Sequence, residues 1–304
     1  MATPDKLTED HWIRRWLARW DMPRNLTVSA GDDCAVLPAP AADHDLVLKT
    51  DAIVQDVHFT VSAPPQRIGQ KAVNRVLSDF AAMGATPLTL MVSVGLPKKL
   101  NPAFVEKCYA GMSRAAARFN VTLAGGETTR SRELWFTVSG IGKIRKGTAL
   151  LRSTAAAGDF IFVTGALGGA PRTSRHLNFT PRLAEGQWLA AHHLASAMMD
   201  LSDGLGKDLP RLAAASRLGF TISAAALPVT RGRTRHAAVN DGEDFELLFT
   251  VRPEKLSALT LTWPFKTKFT PIGVMVSGKK NDTDGLTFSG FDHLRTRSTS
   301  PLAG

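Results

Sequence analysis

Four separate stretches of this chain carry acids next to apolar runs, and that recurrence constrains the fold more than any other feature. Gly31-Asp32-Asp33 lies between apolar runs at 26–28 and 35–37, and Thr50-Asp51 follows another at 46–48. Ser78-Asp79 lies in a helix-like segment, and Asp200-Leu201-Ser202-Asp203-Gly204 closes the set. Adjacent carboxylates repel unless water or a cation screens them. Taken alone, Gly31-Asp32-Asp33 reads as a turn, because Gly and Asp are favoured there. Repeated at distant places, the pattern reads as a polynuclear Mg²⁺ site built from several loops, since that cation takes oxygen ligands.

The apolar patterning supplies the frame. A helix is expected over 8–20, capped by Thr8, with Trp12, Trp16 and Trp20 on one stripe for a core or a partner subunit. A strand at 46–48 runs into Lys49-Thr50-Asp51, and a short strand is expected at 57–60. Residues 69–84 read as a helix with Ala72, Val73, Val76, Leu77 and Phe80 inward. Strands at 88–96, 121–124 and 134–144 and a helix at 102–119 complete an α/β unit. Basic, small and glycine residues at 143–158 mark a boundary, dividing the chain into domains 1–145 and 146–304. The second half offers strands at 159–164, 219–223, 245–251 and 269–276, a glycine-rich turn at 165–169, and helices at 183–197 and 204–218. The fold class is α/β with mixed sheets in two domains.

Composition removes several function classes. The 304 residues carry a formal charge of +10, yet the basic residues are scattered in ones and twos and Tyr109 is the single tyrosine. That is no nucleic-acid platform, and a polyanionic small substrate accounts for the excess equally well. The polar start and the lack of any run of about 18 apolar residues argue against a secretory signal or a membrane span. Cys34 and Cys108 form neither a disulfide framework nor a zinc pattern, so a cytoplasmic setting is expected.

Seven acids (Asp32, Asp33, Asp51, Asp79, Glu127, Asp200 and Asp203) are too many for a two-carboxylate acid/base pair. Crowded carboxylates need a compensating cation, and Mg²⁺ keeps substrate phosphates in its shell, which points to nucleotide chemistry. Gly125-Gly126 after a strand either brings backbone N–H groups to a phosphate or makes a tight turn. Arg152 either pairs with phosphate or is a solvated surface arginine. His192-His193 lack the i, i+4 metal spacing. His58 alone reads as a packing histidine, Cys34 as a small buried residue, and Asp56 and Asp208 as surface.

In order along the chain stand GDDCAVL, TDAIVQDVHF, GQKAVNRVLSDFAAMGATPL, LAGGETTRS, RSTAAAGDFIFVTGALG, MMDLSDGLGKDL and NDGEDFELLFT. Together they resemble the thiamine-monophosphate kinase family of the aminoimidazole-ribonucleotide-synthetase-like (PurM-like) superfamily, from about residue 28 to residue 293. The resemblance implies ATP-dependent phosphorylation of thiamine monophosphate to thiamine diphosphate, assisted by several Mg²⁺ ions. It implies a homodimer in which two N-terminal domains pair their sheets. Asp33, Thr50, Asp51, Asp79, Glu127, Asp200 and Asp203 match the family's Mg²⁺ ligands. Gly126, Glu127, Arg152 and Ser202 match nucleotide contacts, and His58, Glu243 and Phe291 match the substrate pocket. The acceptor being itself a phosphate, no general base is required, and Arg152 is left to stabilise charge.

Four departures from the family pattern stand out. Glu127 replaces an aspartate, Lys49 a serine beside Thr50-Asp51, and Asp241-Gly242-Glu243-Asp244 replaces the usual Gly-Gly-Glu-Asp. The segment 168–178 is shorter, so a helix after the glycine turn is expected to be missing. They motivate two rival readings, a non-catalytic nucleotide- or thiamine-binding homologue and another ATP-dependent enzyme of the same superfamily.

Overall fold

The apolar runs become strands, and the strands make two sheets. The structure, a computed structural model, describes Thr27, residues 32–38 and residues 43–291. The helix expected over 8–20 lies outside the described residues. The first sheet contains β1 (Ala35–Pro38), β2 (His44–Val54), β3 (Thr86–Pro97), β4 (Thr122–Ser131) and β5 (Trp135–Arg145), in the order β1-β2-β5-β3-β4. Its pairings are antiparallel except β3 with β4, which are parallel because α2 (Pro102–Ala117) crosses over between them. Side chains alternate between faces. Val47, Leu90, Val92 and Val138 are buried under α1 (Pro65–Met83) and α2, whereas Leu48, Met91 and Ile141 on the other face are exposed.

Local chemistry fixes α1 at both ends. Pro65 opens it, and Gly84 closes it in the left-handed region at φ 72°. There the Gly84 N–H donates to the Ala81 carbonyl and the Ala85 N–H to the Phe80 carbonyl. Phe80, fully buried, lies on the flat strip left by Gly140 and Gly142, where added Cβ atoms would meet its ring at 2.7 and 2.9 Å.

The second sheet runs β11-β8-β10-β6-β9-β7. It is built from β6 (Phe160–Thr164), β7 (Ala197–Asp200), β8 (Gly219–Ile222), β9 (Leu247–Val251), β10 (Phe269–Val276) and β11 (Asn281–Asp282). The helices around it are α3 (Leu183–Ala191), α4 (Leu205–Ala215), α5 (Arg235–Asn240) and α6 (Leu256–Thr262). Its strands β6, β7 and β9 are buried on both faces, which explains their near-continuous apolar sequence, whereas the edge strand β11 is polar and exposed. Phe162, Leu247, Phe249 and Val251 share a core with α1 and α3, while Ile161, Val163 and Leu248 share another with α4 and α5. Helix α1 is thus covered by the first sheet on one side and by the second sheet and α3 on the other.

Several expectations are corrected. Residues 57–60 form a turn closed by a lone bridge between Gln55 and Phe59, because the Val57 and His58 N–H groups both donate to the Val54 carbonyl and Asp56 sits at φ 61°. Of the two readings of Gly125-Gly126, the tight turn is not formed: both lie in strand β4, just past a shift of register, and a residue without a side chain lets β4 approach β3 there; a Cβ on Gly126 would lie 1.7 Å from the Val92 carbonyl oxygen. The helix expected to run to 197 stops at Ala191, where His193 turns left-handed and the Leu194 N–H reaches the Leu189 carbonyl. Between β6 and α3 only a single 3₁₀ turn, Arg175–Leu177, occurs, so the helix missing from the short segment is indeed absent there. Asp208 is buried rather than on the surface and accepts the Asp203 N–H.

Candidate active site

Helix α1 carries a polar stripe at helical spacing, Lys71, Asn74, Arg75, Ser78 and Asp79, of which all but the half-buried Arg75 are buried. Buried polar groups call for partners, and among the described residues these find them in segments from both halves of the chain, except at Asn74 Oδ1, which has none. The Asn74 amide donates to the Phe179 carbonyl and the Ser78 hydroxyl to Asp200 Oδ2, at 2.7 Å each. Arg75 donates through two nitrogens to Asp51, and Lys49 lies 2.8 Å from Asp79.

Where these elements meet, carboxylate oxygens of Asp33, Asp79 and Asp200 all lie within 4.8 Å of one another, and all three residues are buried. Burial pushes Asp79 well above the usual carboxylate range, and neighbouring Asp200, Asp51 and Asp33 add to it against the opposing charge of Lys49. Burial, then the charge on Asp33, raises Asp200 to about 6. The same two causes raise Asp32 to about 6, although Arg152 opposes them. Arg152 grips Asp33 through Nε and Nη2 at 2.9 and 2.8 Å. An all-oxygen, buried donor set under this much mutual repulsion fits a hard divalent cation.

The other expected site residues fall into four places. His58, Ser202, Asp203, Glu243 and Phe291 line one cavity, together with Arg75 and Phe245. Asp51 reaches α1 through Arg75, beside the three carboxylates but outside their 4.8 Å group. The Thr50 hydroxyl instead bonds Ser139 on the outer face of the first sheet, because successive strand residues point to opposite sides. Gly126 and Glu127 lie on exposed β4, where Glu127 accepts the Thr128 N–H, and Glu127 is also outside the group of three. Asp203 is held by Arg211 at 2.6 Å and Lys207 at 3.3 Å.

The sequence pointed to the acids and to two of their partners, Arg152 and Lys49, but not to Lys71, Arg75 and His176. Lys71, Arg75 and Asp79 recur every four residues, which puts three charges on one stripe of a helix whose opposite side is apolar; that spacing was the available signal. His176, 2.8 Å from Glu243, had no such signal.

Two mixed sheets with a carboxylate cluster at their junction define a two-domain AIR synthase related protein. The chain matches the AIR synthase related N-terminal domain over residues 31–144 and the C-terminal domain over residues 157–284. It is 34% identical over 272 residues to the thiamine-monophosphate kinase of Buchnera aphidicola subsp. Acyrthosiphon pisum, covering 80% of this chain and 83% of the relative. A solved structure of AaThiL complexed with AMPPCP and TMP superposes with a TM-score of 0.84 at 27% identity, covering 96% of this chain and 99% of the other. The crystal structure of thiamine-monophosphate kinase from Stenotrophomonas maltophilia gives 0.74 at 32% identity, covering 91% and 95%. The chain belongs to the thiamine-monophosphate kinase family. No helix among the described residues is long and apolar enough to cross a membrane.

Proposed function

We infer that this chain transfers the γ-phosphoryl group of ATP to the phosphate of thiamine monophosphate, giving thiamine diphosphate and ADP. The observation that carries the reading is the buried cluster of Asp33, Asp79 and Asp200, placed beside the cavity of His58, Glu243 and Phe291 in a chain of this family. The acceptor phosphate is largely ionised near neutral pH, so no side chain needs to remove a proton. The barrier is repulsion between two anions, and the protein's contribution is to align them and place positive charge between them.

Asp33, Asp79 and Asp200 would hold Mg²⁺, with Asp51 and Asp203 extending the set; Thr50 has its carbonyl to offer. When bound, Mg²⁺ supplies positive charge opposite the transferring phosphoryl oxygens. Arg152 stabilises charge on the nucleotide, with Ser202 beside it and Gly126 and Glu127 serving the nucleotide from β4. His58 and Glu243 hold the thiamine portion, and Phe291 supplies an aromatic wall. The first domain ends near residue 145, a division supported by the last strand of the first sheet stopping at Arg145. A cytoplasmic setting, where ATP is made, agrees with the two free cysteines, Cys34 and Cys108. The exposed apolar face of Leu48, Met91 and Ile141 is the surface on which two copies pair, and sedimentation of the intact chain as a monomer at micromolar concentration would remove that part of the reading.

Asp51→Asn and Asp79→Asn test the site. Each is expected to lower turnover by about a hundredfold or more while leaving the circular dichroism spectrum unchanged. Wild-type turnover in either variant would contradict the assignment.

A further inference from the structure

Lys71 is a lysine with no exposed surface. Burying an ammonium group is costly unless each of its protons finds a partner. Its Nζ donates to the His58 carbonyl oxygen at 2.7 Å and to Glu243 Oε1 at 2.6 Å, and it lies 2.7 Å from His176 Nδ1. His176, itself buried, also brings Nδ1 to 2.8 Å from the second carboxylate oxygen of Glu243. Three parts of the chain far apart in sequence therefore converge on one side chain of α1: the turn at His58, the short segment before α3, and the loop before β9.

The convergence has a direction. His58 and Glu243 line the same cavity, whereas Lys71 is not among the residues that line it. Glu243 sits in the left-handed region at φ 56°, a conformation that a residue other than glycine keeps only when its surroundings hold it. The Glu243 N–H donates to the Ser202 carbonyl, so backbone and carboxylate are both tied down. Lys71 grips the two walls of the cavity from behind.

Building on the kinase reading, we propose that Lys71 and His176 are positioning residues that fix Glu243 and the His58 turn against the organic, cationic half of thiamine monophosphate. They set affinity for that substrate and leave the phosphoryl transfer itself untouched. The short segment 168–178 gains a role here, since it delivers His176 to the back of the pocket.

The test compares Lys71→Met and His176→Gln with the wild-type full chain. Thiamine monophosphate and a non-hydrolysable ATP analogue are titrated separately by calorimetry, and steady-state KM and kcat are measured for both substrates. Lys71→Met and His176→Gln are each expected to weaken thiamine monophosphate binding and raise its KM by at least about tenfold. The ATP-analogue affinity should be unchanged and kcat should stay within about threefold of wild type. Should Lys71→Met fail to fold, His176→Gln, which keeps the Lys71–Glu243 ion pair, carries the same expectation. Equal affinity for thiamine monophosphate in wild type and folded variants would overturn the proposal, as would a fall in kcat at unchanged KM or an equal loss of both ligands. A wild-type chain that bound no thiamine monophosphate would instead overturn the kinase reading beneath it.

Discussion

At the scale of single residues, the acids packed around α1 are each met by a cation or a hydroxyl from elsewhere in the chain. Arg152 meets Asp33, Lys49 meets Asp79, Arg75 meets Asp51 and Ser78 meets Asp200. Glu243 shows the consequence for stability. Burial works against its charge, but Lys71 and His176 together hold its carboxyl well below the usual range. As pH falls, the unfolded chain therefore takes up a proton at this position before the folded chain does. The stability that Glu243 contributes is present above its ordinary pKa and is lost below it. Chemical denaturation of Glu243→Gln between about pH 6 and pH 3 should give a shallower loss of stability than wild type, and parallel curves would contradict the pairing. The acids were legible in the sequence because clustered carboxylates have few uses. Arg152 and Lys49 stood out beside them, but the partners on α1 did not, because Lys71, Asn74 and Arg75 have the composition of a solvent face, and only the packing of α1 between two sheets turns that face inward.

At the scale of elements, α1 is the helix on which the site is assembled, and glycines set how closely its neighbours approach. A Cβ at Gly69 would lie 1.9 Å from the Cys108 carbonyl oxygen on α2, and one at Gly186 would lie 2.0 Å from the Ala81 carbonyl oxygen. Both contacts are to backbone, so relief requires moving a whole helix. Gly69→Ala and Gly186→Ala should each destabilise the fold by about 1–3 kcal/mol, the usual cost of overpacking, and lower Tm by a few degrees. Unchanged melting would mean that the helices are not in contact there. Element types followed the apolar periodicity wherever local and tertiary preferences agreed, as in α1, α2, β3, β5 and β6. They departed from it where a backbone contact decided: β4 continues through two glycines after a shift of register, and His193 ends α3 in a conformation that nothing in His192-His193-Leu194 announces.

At the scale of the whole molecule, the two halves share a core through α1, so the cavity and the carboxylate cluster belong to neither half alone. Asp33, Asp51 and Asp79 come from the first, and Asp200, Asp203 and Glu243 from the second. The order of the seven motifs carried the two-domain α/β architecture into view, but no sequence pattern announced that one helix would be buried by both sheets. The site joins the phosphate of thiamine monophosphate to the γ-phosphoryl group of ATP. The most direct test incubates the purified full chain with Mg²⁺, ATP labelled in the γ-phosphoryl group and thiamine monophosphate, and separates the products by chromatography. Label appearing in thiamine diphosphate, in step with ADP, is the predicted result. ADP without labelled thiamine diphosphate, or neither product despite measurable ATP binding, would contradict it.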